Sequence, residues 1–159
     1  MKTGDIIKLV VCLALTLGAG ALGGLATAPA IPTWYQTLSK PAFNPPQWLF
    51  GPAWTVLYIL MGVAAFLVWR AGFSAAAVRL ALALFLVQLV LNVLWSFLFF
   101  GLRSPLAGLV EIVILWLAIA ATLVLFFRVS TVAGLLLIPY IGWVTFAAIL
   151  NAALLALNR

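Results

Sequence analysis

Polar side chains inside long apolar runs are the residues of this sequence that could do chemistry. In a bilayer each one costs free energy unless it finds a partner or lines a cavity. In the run 79–100, Gln88, Asn92 and Ser96 recur at i, i+4 and i+8 with Trp95 beside them, which puts them on one helical face. In the run 131–157, Tyr140, Trp143, Ala147 and Asn151 recur at i, i+3, i+7 and i+11, and in the run 51–69 Trp54 and Tyr58 stand four apart. Aromatic rings offer planar contact area, and amides and indole N–H groups can orient a carboxylate or carbonyl. Converging stripes of this kind would make an amphipathic pocket for a flat hydrophobic ligand. The competing reading is interhelical hydrogen bonding, worth about 0.5–2 kcal/mol per contact, and it suits Ser96 and Asn151 better. Trp54 and Trp143 are expected on opposite walls of one pocket, with small Ala147 leaving room beside the second indole.

Glu111 is the only acidic residue in any apolar run. An intramembrane carboxylate suggests a proton relay or cation site. Its position within two turns of Pro105 instead predicts a structural place near the interface, with Arg103 of the preceding turn in reach. Other chemistries lack their residues. The chain has no histidine and a single cysteine, Cys12, so neither a metal centre nor a disulfide framework is expected. Without histidine or a carboxylate pair, hydrolytic or acid–base catalysis has no support. No resident cofactor is expected, and a tetrapyrrole would be held by shape and stacking.

The elements that must position these residues follow from composition. Of 159 residues 68% are hydrophobic, with eight basic and two acidic side chains. A soluble domain carries about a quarter charged residues. The apolar runs are long enough to cross a bilayer, which needs roughly 20 residues of helix. The net charge of +6 comes from single residues at run ends, as membrane anchors do, not from a cluster that would bind nucleic acid. The sequence predicts one all-α membrane domain over residues 1–159, a bundle of five transmembrane helices at about 6–28, 51–69, 79–100, 105–127 and 131–157. The first run has features of a signal peptide, a basic start and the triplet Ala26-Thr27-Ala28, but its apolar core of about 20 residues is too long. It is expected to be a retained helix, and its Gly20/Gly24 pair would permit close helix approach.

Residues 29–51 form the only long connector, with five of the eight prolines. Proline fixes φ, removes a donor and pushes the preceding residue out of the α region. Pro41 to Pro46 therefore predict a stiff extended lid that delivers Trp48, Phe50 and Trp54 to a helix mouth. Lys2, Lys8, Arg70, Arg79 and Arg128 fall on one side of the bundle, against Lys40, Arg103 and Arg159 on the other. By the positive-inside rule the N-terminus is cytoplasmic and the lid lies outside, in what reads as a bacterial cytoplasmic membrane.

These residues also carry a resemblance. Trp34-Tyr35, Lys40-Pro41, Asn44-Pro45-Pro46, Trp48, Gly51-Pro52-x-Trp54 and Leu57-Tyr58 resemble the signature of the translocator protein, or tryptophan-rich sensory protein (TspO/MBR), family. So do Gln88-Leu89-x-x-Asn92-x-x-Trp95, Phe99-Phe100-Gly101, Pro139-Tyr140-x-x-Trp143 and Leu150-Asn151. The resemblance covers nearly the whole chain and implies a five-helix membrane protein, often a homodimer, that binds porphyrins, sterol-like lipids and other hydrophobic molecules under the loop. It implies a pocket at Tyr35, Pro45, Trp54, Tyr58, Asn92, Trp95, Trp143 and Ala147; Gln88 and Tyr140 join these from the stripes. Some bacterial members are associated with light-dependent protoporphyrin breakdown, for which tryptophans matching Trp54 and Trp143 would be the catalytic pair. Two departures stand out. Phe43 replaces the usual tryptophan, and Ala152-Ala153 follow Leu150-Asn151 where the vertebrate sterol motif needs a tyrosine and a base. The leading expectation is a receptor or sensor with porphyrin as ligand and membrane lipid as surroundings. The alternatives are a porphyrin-degrading enzyme and a small proton-coupled exporter using Glu111.

Overall fold

In the computed structural model residues 3–159 are described, and Lys2 lies outside them. Five helices are each long and apolar enough to cross a bilayer. They are α1 (Thr3–Ala30), α2 (Phe50–Arg70), α3 (Ala76–Ser96), α4 (Pro105–Val129) and α5 (Thr131–Leu157). Ser104 and Ser130 cap α4 and α5, their hydroxyls accepting from the Ala107 and Ala133 N–H groups, and Pro105 occupies the first turn, where no donor is missed. Gly72, at φ 124°, makes the α2–α3 turn in a conformation that only glycine adopts freely.

Around the bundle the neighbours run α1–α2–α5–α4–α3 and back to α1. Small residues set the closest approaches. A Cβ on Gly62 of α2 would come within 2.8 Å of Leu13 and Thr16 side-chain atoms, and one on Gly134 would collide with the Phe127 ring. The Gly20/Gly24 pair does not act as expected. Gly20 packs on the Tyr58 ring and Gly23 packs against Ser96, while a Cβ on Gly24 would meet nothing within 4 Å.

The first helix also runs further than its prolines suggest. Past Pro29 the chain stays helical and widens into a π-turn at Ile31–Tyr35, so the connector is shorter than 29–51. Proline leaves a carbonyl without its i+4 donor, and a local π adjustment re-engages such groups inside a membrane. Thr33 supplies a further donor, its hydroxyl 2.7 Å from the Pro29 carbonyl. A second π-turn, Phe97–Gly101, ends α3, with the Leu102 N–H reaching the Phe97 carbonyl at 2.8 Å. Residues 39–46 are non-helical, as the prolines require, and a 3₁₀ turn at Gln47–Leu49 leads into α2.

Candidate functional site

At the loop end the five helices do not fill their interior. A cavity of about 440 Å³ lies there, bordered by α1, α2, α5, the end of α3 and its π-turn. Of the site residues expected from sequence, Tyr35, Trp54, Tyr58, Trp95, Trp143 and Ala147 border it. Asn151 borders it and also bonds between helices, its amide donating to the Pro105 carbonyl (2.7 Å) and its Oδ1 accepting from the Trp95 indole (3.3 Å).

Gln88, Asn92 and Tyr140 lie behind the wall, not on it. They form a buried chain: the Tyr58 hydroxyl donates to Asn92 Oδ1 (2.5 Å), Asn92 Nδ2 to the Tyr140 hydroxyl (3.0 Å), and that hydroxyl to Gln88 Oε1 (2.8 Å). This chain ties α2, α3 and α5 together and makes the cavity's floor. The stripe on α3 divides because successive turns of a helix reach different depths. Its lower two turns reach the floor, while Trp95 and Ser96 reach the cavity.

Trp54 and Trp143 stand on neighbouring walls, a correction to the opposite-wall expectation. Helices α2 and α5 pack directly, Phe50 meeting Trp143 edge-on at 6.4 Å and Trp54 meeting Tyr140 at 6.2 Å. Trp54 also stacks on Tyr58 at 5.6 Å. The indole N–H groups of Trp95 and Trp116 are engaged by Asn151 and Thr145, whereas those of Trp54 and Trp143 have no partner among the described residues. Facing them are Gly20, Gly24, Thr27 and Ala28 of α1, and Phe99 from the π-turn. The α1 wall was missed from sequence, although small residues recurring every three or four positions along 20–28 signal such a face.

The connector forms the roof. The Tyr35 hydroxyl donates to Asn44 Oδ1 (2.6 Å), and Asn44 Nδ2 donates to the Pro45 carbonyl (3.0 Å), so Pro45 shapes the roof without bordering the cavity. Lys40 lies over the Tyr35 ring at 5.1 Å and donates to the Gln36 and Leu38 carbonyls. A reciprocal pair between the Ser39 backbone and the Asn158 amide, 2.9 Å each way, pins the roof to the end of α5. Phe43 touches Phe146 edge-on at 6.4 Å. Trp48 departs from expectation: it is 71% exposed and does not border the cavity.

Glu111 is buried and has no arginine partner among the described residues. It is 4% exposed, and neither carboxyl oxygen has a hydrogen-bond partner among the described residues; Gln88 Nε2 is likewise unpartnered. Nearly two turns into α4 and facing inward, it points away from Arg103, which is exposed in the preceding turn. It does not border the cavity. No cluster of metal-ligating side chains occurs among the described residues.

Comparison with known proteins agrees with this arrangement. The TspO/MBR family profile matches residues 11–157. The chain is 48% identical over 154 residues to the tryptophan-rich protein TspO of Chlorobaculum tepidum, covering 97% of this chain and 98% of that one. It is equally similar, 48% over 155 residues, to the TspO protein of Archaeoglobus fulgidus, covering 97% and 99%. The human translocator protein is 42% identical over 120 residues, covering 74% of this chain and 70% of its own. The chain belongs to the TspO/MBR family.

Proposed function

We propose that this TspO/MBR-family membrane protein is a receptor or sensor for a porphyrin-type tetrapyrrole or a similar flat hydrophobic molecule, held beneath the roof. The observation that carries the reading is the cavity itself: about 440 Å³, bordered by Trp54, Trp95 and Trp143, with two indole N–H groups unengaged. That volume falls among ordinary small-molecule sites, roughly 300–1,000 Å³ and mainly apolar with a few convergent polar groups. None of the bordering side chains is charged, and the Tyr35, Tyr58 and Asn151 donors are already engaged, so recognition of a carboxylate or carbonyl falls first to the indole N–H groups of Trp54 and Trp143. The porphyrin is a ligand here, not a resident cofactor. Titration of the purified protein with protoporphyrin, read by tryptophan quenching, tests it; saturable quenching is expected, and quenching that stays linear with concentration would overturn it.

A second reading, photo-oxidative breakdown of the bound porphyrin beside Trp54 and Trp143, is favoured by both indoles bordering one cavity. Product formation under illumination separates the two. We further place the N-terminus in the cytoplasm of a bacterial cell, because Lys8, Arg70, Arg79 and Arg128 lie at the end away from the roof. An impermeant thiol reagent should then label Arg103→Cys on whole cells and leave Arg79→Cys unlabelled; the reverse pattern would invert the topology.

A further inference from the structure

The cavity has a roof and a floor, and one of its sides is open. Along the half of α1 remote from the roof, contact with α2 is close: Lys8 lies over Trp69 at 6.0 Å, Leu13 and Thr16 meet Gly62, and Gly20 meets the Tyr58 ring. Above Gly20, α1 changes partner. Gly23 meets Ser96 of α3, and a Cβ on Gly101 would touch Ala26 at 3.7 Å. Over the same height α2 turns to α5, through Phe50 with Trp143 and Trp54 with Tyr140. The two helical segments approach each other again at the roof, where the Tyr35 and Phe50 rings stand 6.3 Å apart.

Between these two contacts is a window. Ala21, Gly24 and Ala28 edge it on α1, and Gly51 and Thr55 edge it on α2; all five border the cavity. Gly24 is half-buried and the other four are exposed, and a Cβ on Gly24 or Gly51 would meet nothing within 4 Å. From Phe50 to Tyr58 the opening is about 12 Å tall at the helical rise per residue. All of its edges belong to membrane-spanning segments, so the opening faces hydrocarbon.

We infer that this window is the ligand's mouth: a flat apolar ligand dissolved in the bilayer enters sideways between α1 and α2, not through the roof. The identity of that ligand rests on the reading above; the window does not. Passage through the roof breaks the Tyr35–Asn44 bond, the Ser39–Asn158 pair and the Lys40 contacts. Passage through the window breaks none. The hydroxyls at its edge are already engaged, Thr55 with the Gly51 carbonyl (2.9 Å) and Thr27 with that of Gly23 (3.0 Å). Its side chains are too small to need a rotamer change.

The test uses the full chain in phosphatidylcholine vesicles. In stopped-flow mixing with protoporphyrin, Gly24→Phe, whose ring enters open space, should slow association roughly tenfold and slow dissociation with it, while Asn44→Ala, which cuts the roof latch, should leave association within about twofold. Faster association in Asn44→Ala, with no slowing in Gly24→Phe, would overturn the inference. A second measurement needs no porphyrin. In vesicles of brominated-acyl phosphatidylcholine, the Trp54 fluorescence (parent minus Trp54→Phe) should be quenched, and Gly24→Phe should reduce that quenching. Trp54 emission untouched by brominated chains means a closed window and sinks the inference whatever porphyrin does. Quenching by brominated chains without any porphyrin binding sinks the choice of ligand and leaves the mouth standing.

Discussion

The two halves of this bundle are built from the same five helices and packed to different standards. Away from the roof, Met61, Ala64, Val68, Ala81, Ile119, Phe126 and Ala133 have no exposed surface at all, and Phe85 stacks on Phe126 at 5.6 Å. Toward the roof, aromatic rings meet edge-on around unfilled space, and α1 parts from α2. The Tyr58–Asn92–Tyr140–Gln88 chain marks the boundary. In lipid no hydrophobic force drives helices together, so van der Waals packing and interhelical hydrogen bonds must do it. The close-packed half and the polar floor supply both, which is what allows the roofed half to keep a cavity open.

If the halves are separable in this way, the largest single effect should come from the packed one. Phe126→Ala removes a fully buried ring stacked on Phe85 and should destabilise the protein by about 3–5 kcal/mol. Reversible denaturation in mixed micelles reads this, and the molecules that remain folded should bind ligand like the parent. A binding defect in that folded fraction as large as a tryptophan variant's would show that the halves are one unit. The floor comes next. Tyr140→Phe deletes the hydroxyl that joins Asn92 to Gln88 and strands both amides, at a cost of about 1–3 kcal/mol. Loss of stability well below that range would mean that the amides re-pair and the floor is not a fixed boundary.

In the roofed half the effect should move from stability to binding. Trp143→Ala or Trp54→Ala removes a ring that borders the cavity. Base–aromatic stacking is worth roughly 1–3 kcal/mol per ring, and that scale applied to a porphyrin gives about tenfold weaker binding or more. Phenylalanine should recover much of the stacking and none of the indole N–H contribution. A tryptophan that only faced lipid would instead alter stability and leave affinity alone, so quenching titrations beside melting curves distinguish the two outcomes.

Much of the fold could be read from the residues, because a membrane span is written locally. Run length placed α4 and α5 within two residues of their ends, and the prolines of 41–46 marked the lid. What failed was whatever depends on a neighbour. Pro29 and Pro32 looked like breakers, yet in a bilayer the carbonyls they leave have no water to turn to, and a π-turn absorbs them. Helical spacing assigned Gln88, Asn92 and Trp95 to one face correctly but could not say at what depth the cavity begins. It likewise could not place α2 beside α5, which is why Trp54 and Trp143 were expected to face each other. The α1 wall went unseen because glycine and alanine carry no chemistry of their own; they matter for the volume they leave.

The smallest effect is expected at Glu111, the residue that invites the largest claim. A buried carboxylate in a membrane helix suggests ion coupling, and in that role Glu111→Gln would abolish transport driven by a proton gradient. The geometry argues for a quieter place. Glu111 lies one turn from Gly108, whose neighbours are Phe99 and Asn151, but it does not border the cavity itself. Neither of its oxygens has a partner to lose among the described residues. Glutamine keeps the shape and one acceptor oxygen, and no longer carries a charge that an apolar interior must hold. Porphyrin affinity should therefore stay within about twofold of the parent, and stability should shift by less than about 1 kcal/mol in either direction, the scale of one ordinary hydrogen bond. A loss of affinity tenfold or greater in a folded Glu111→Gln protein would give this carboxyl a part in binding, although it does not border the cavity. It would also restore the exporter as the better account of the chain.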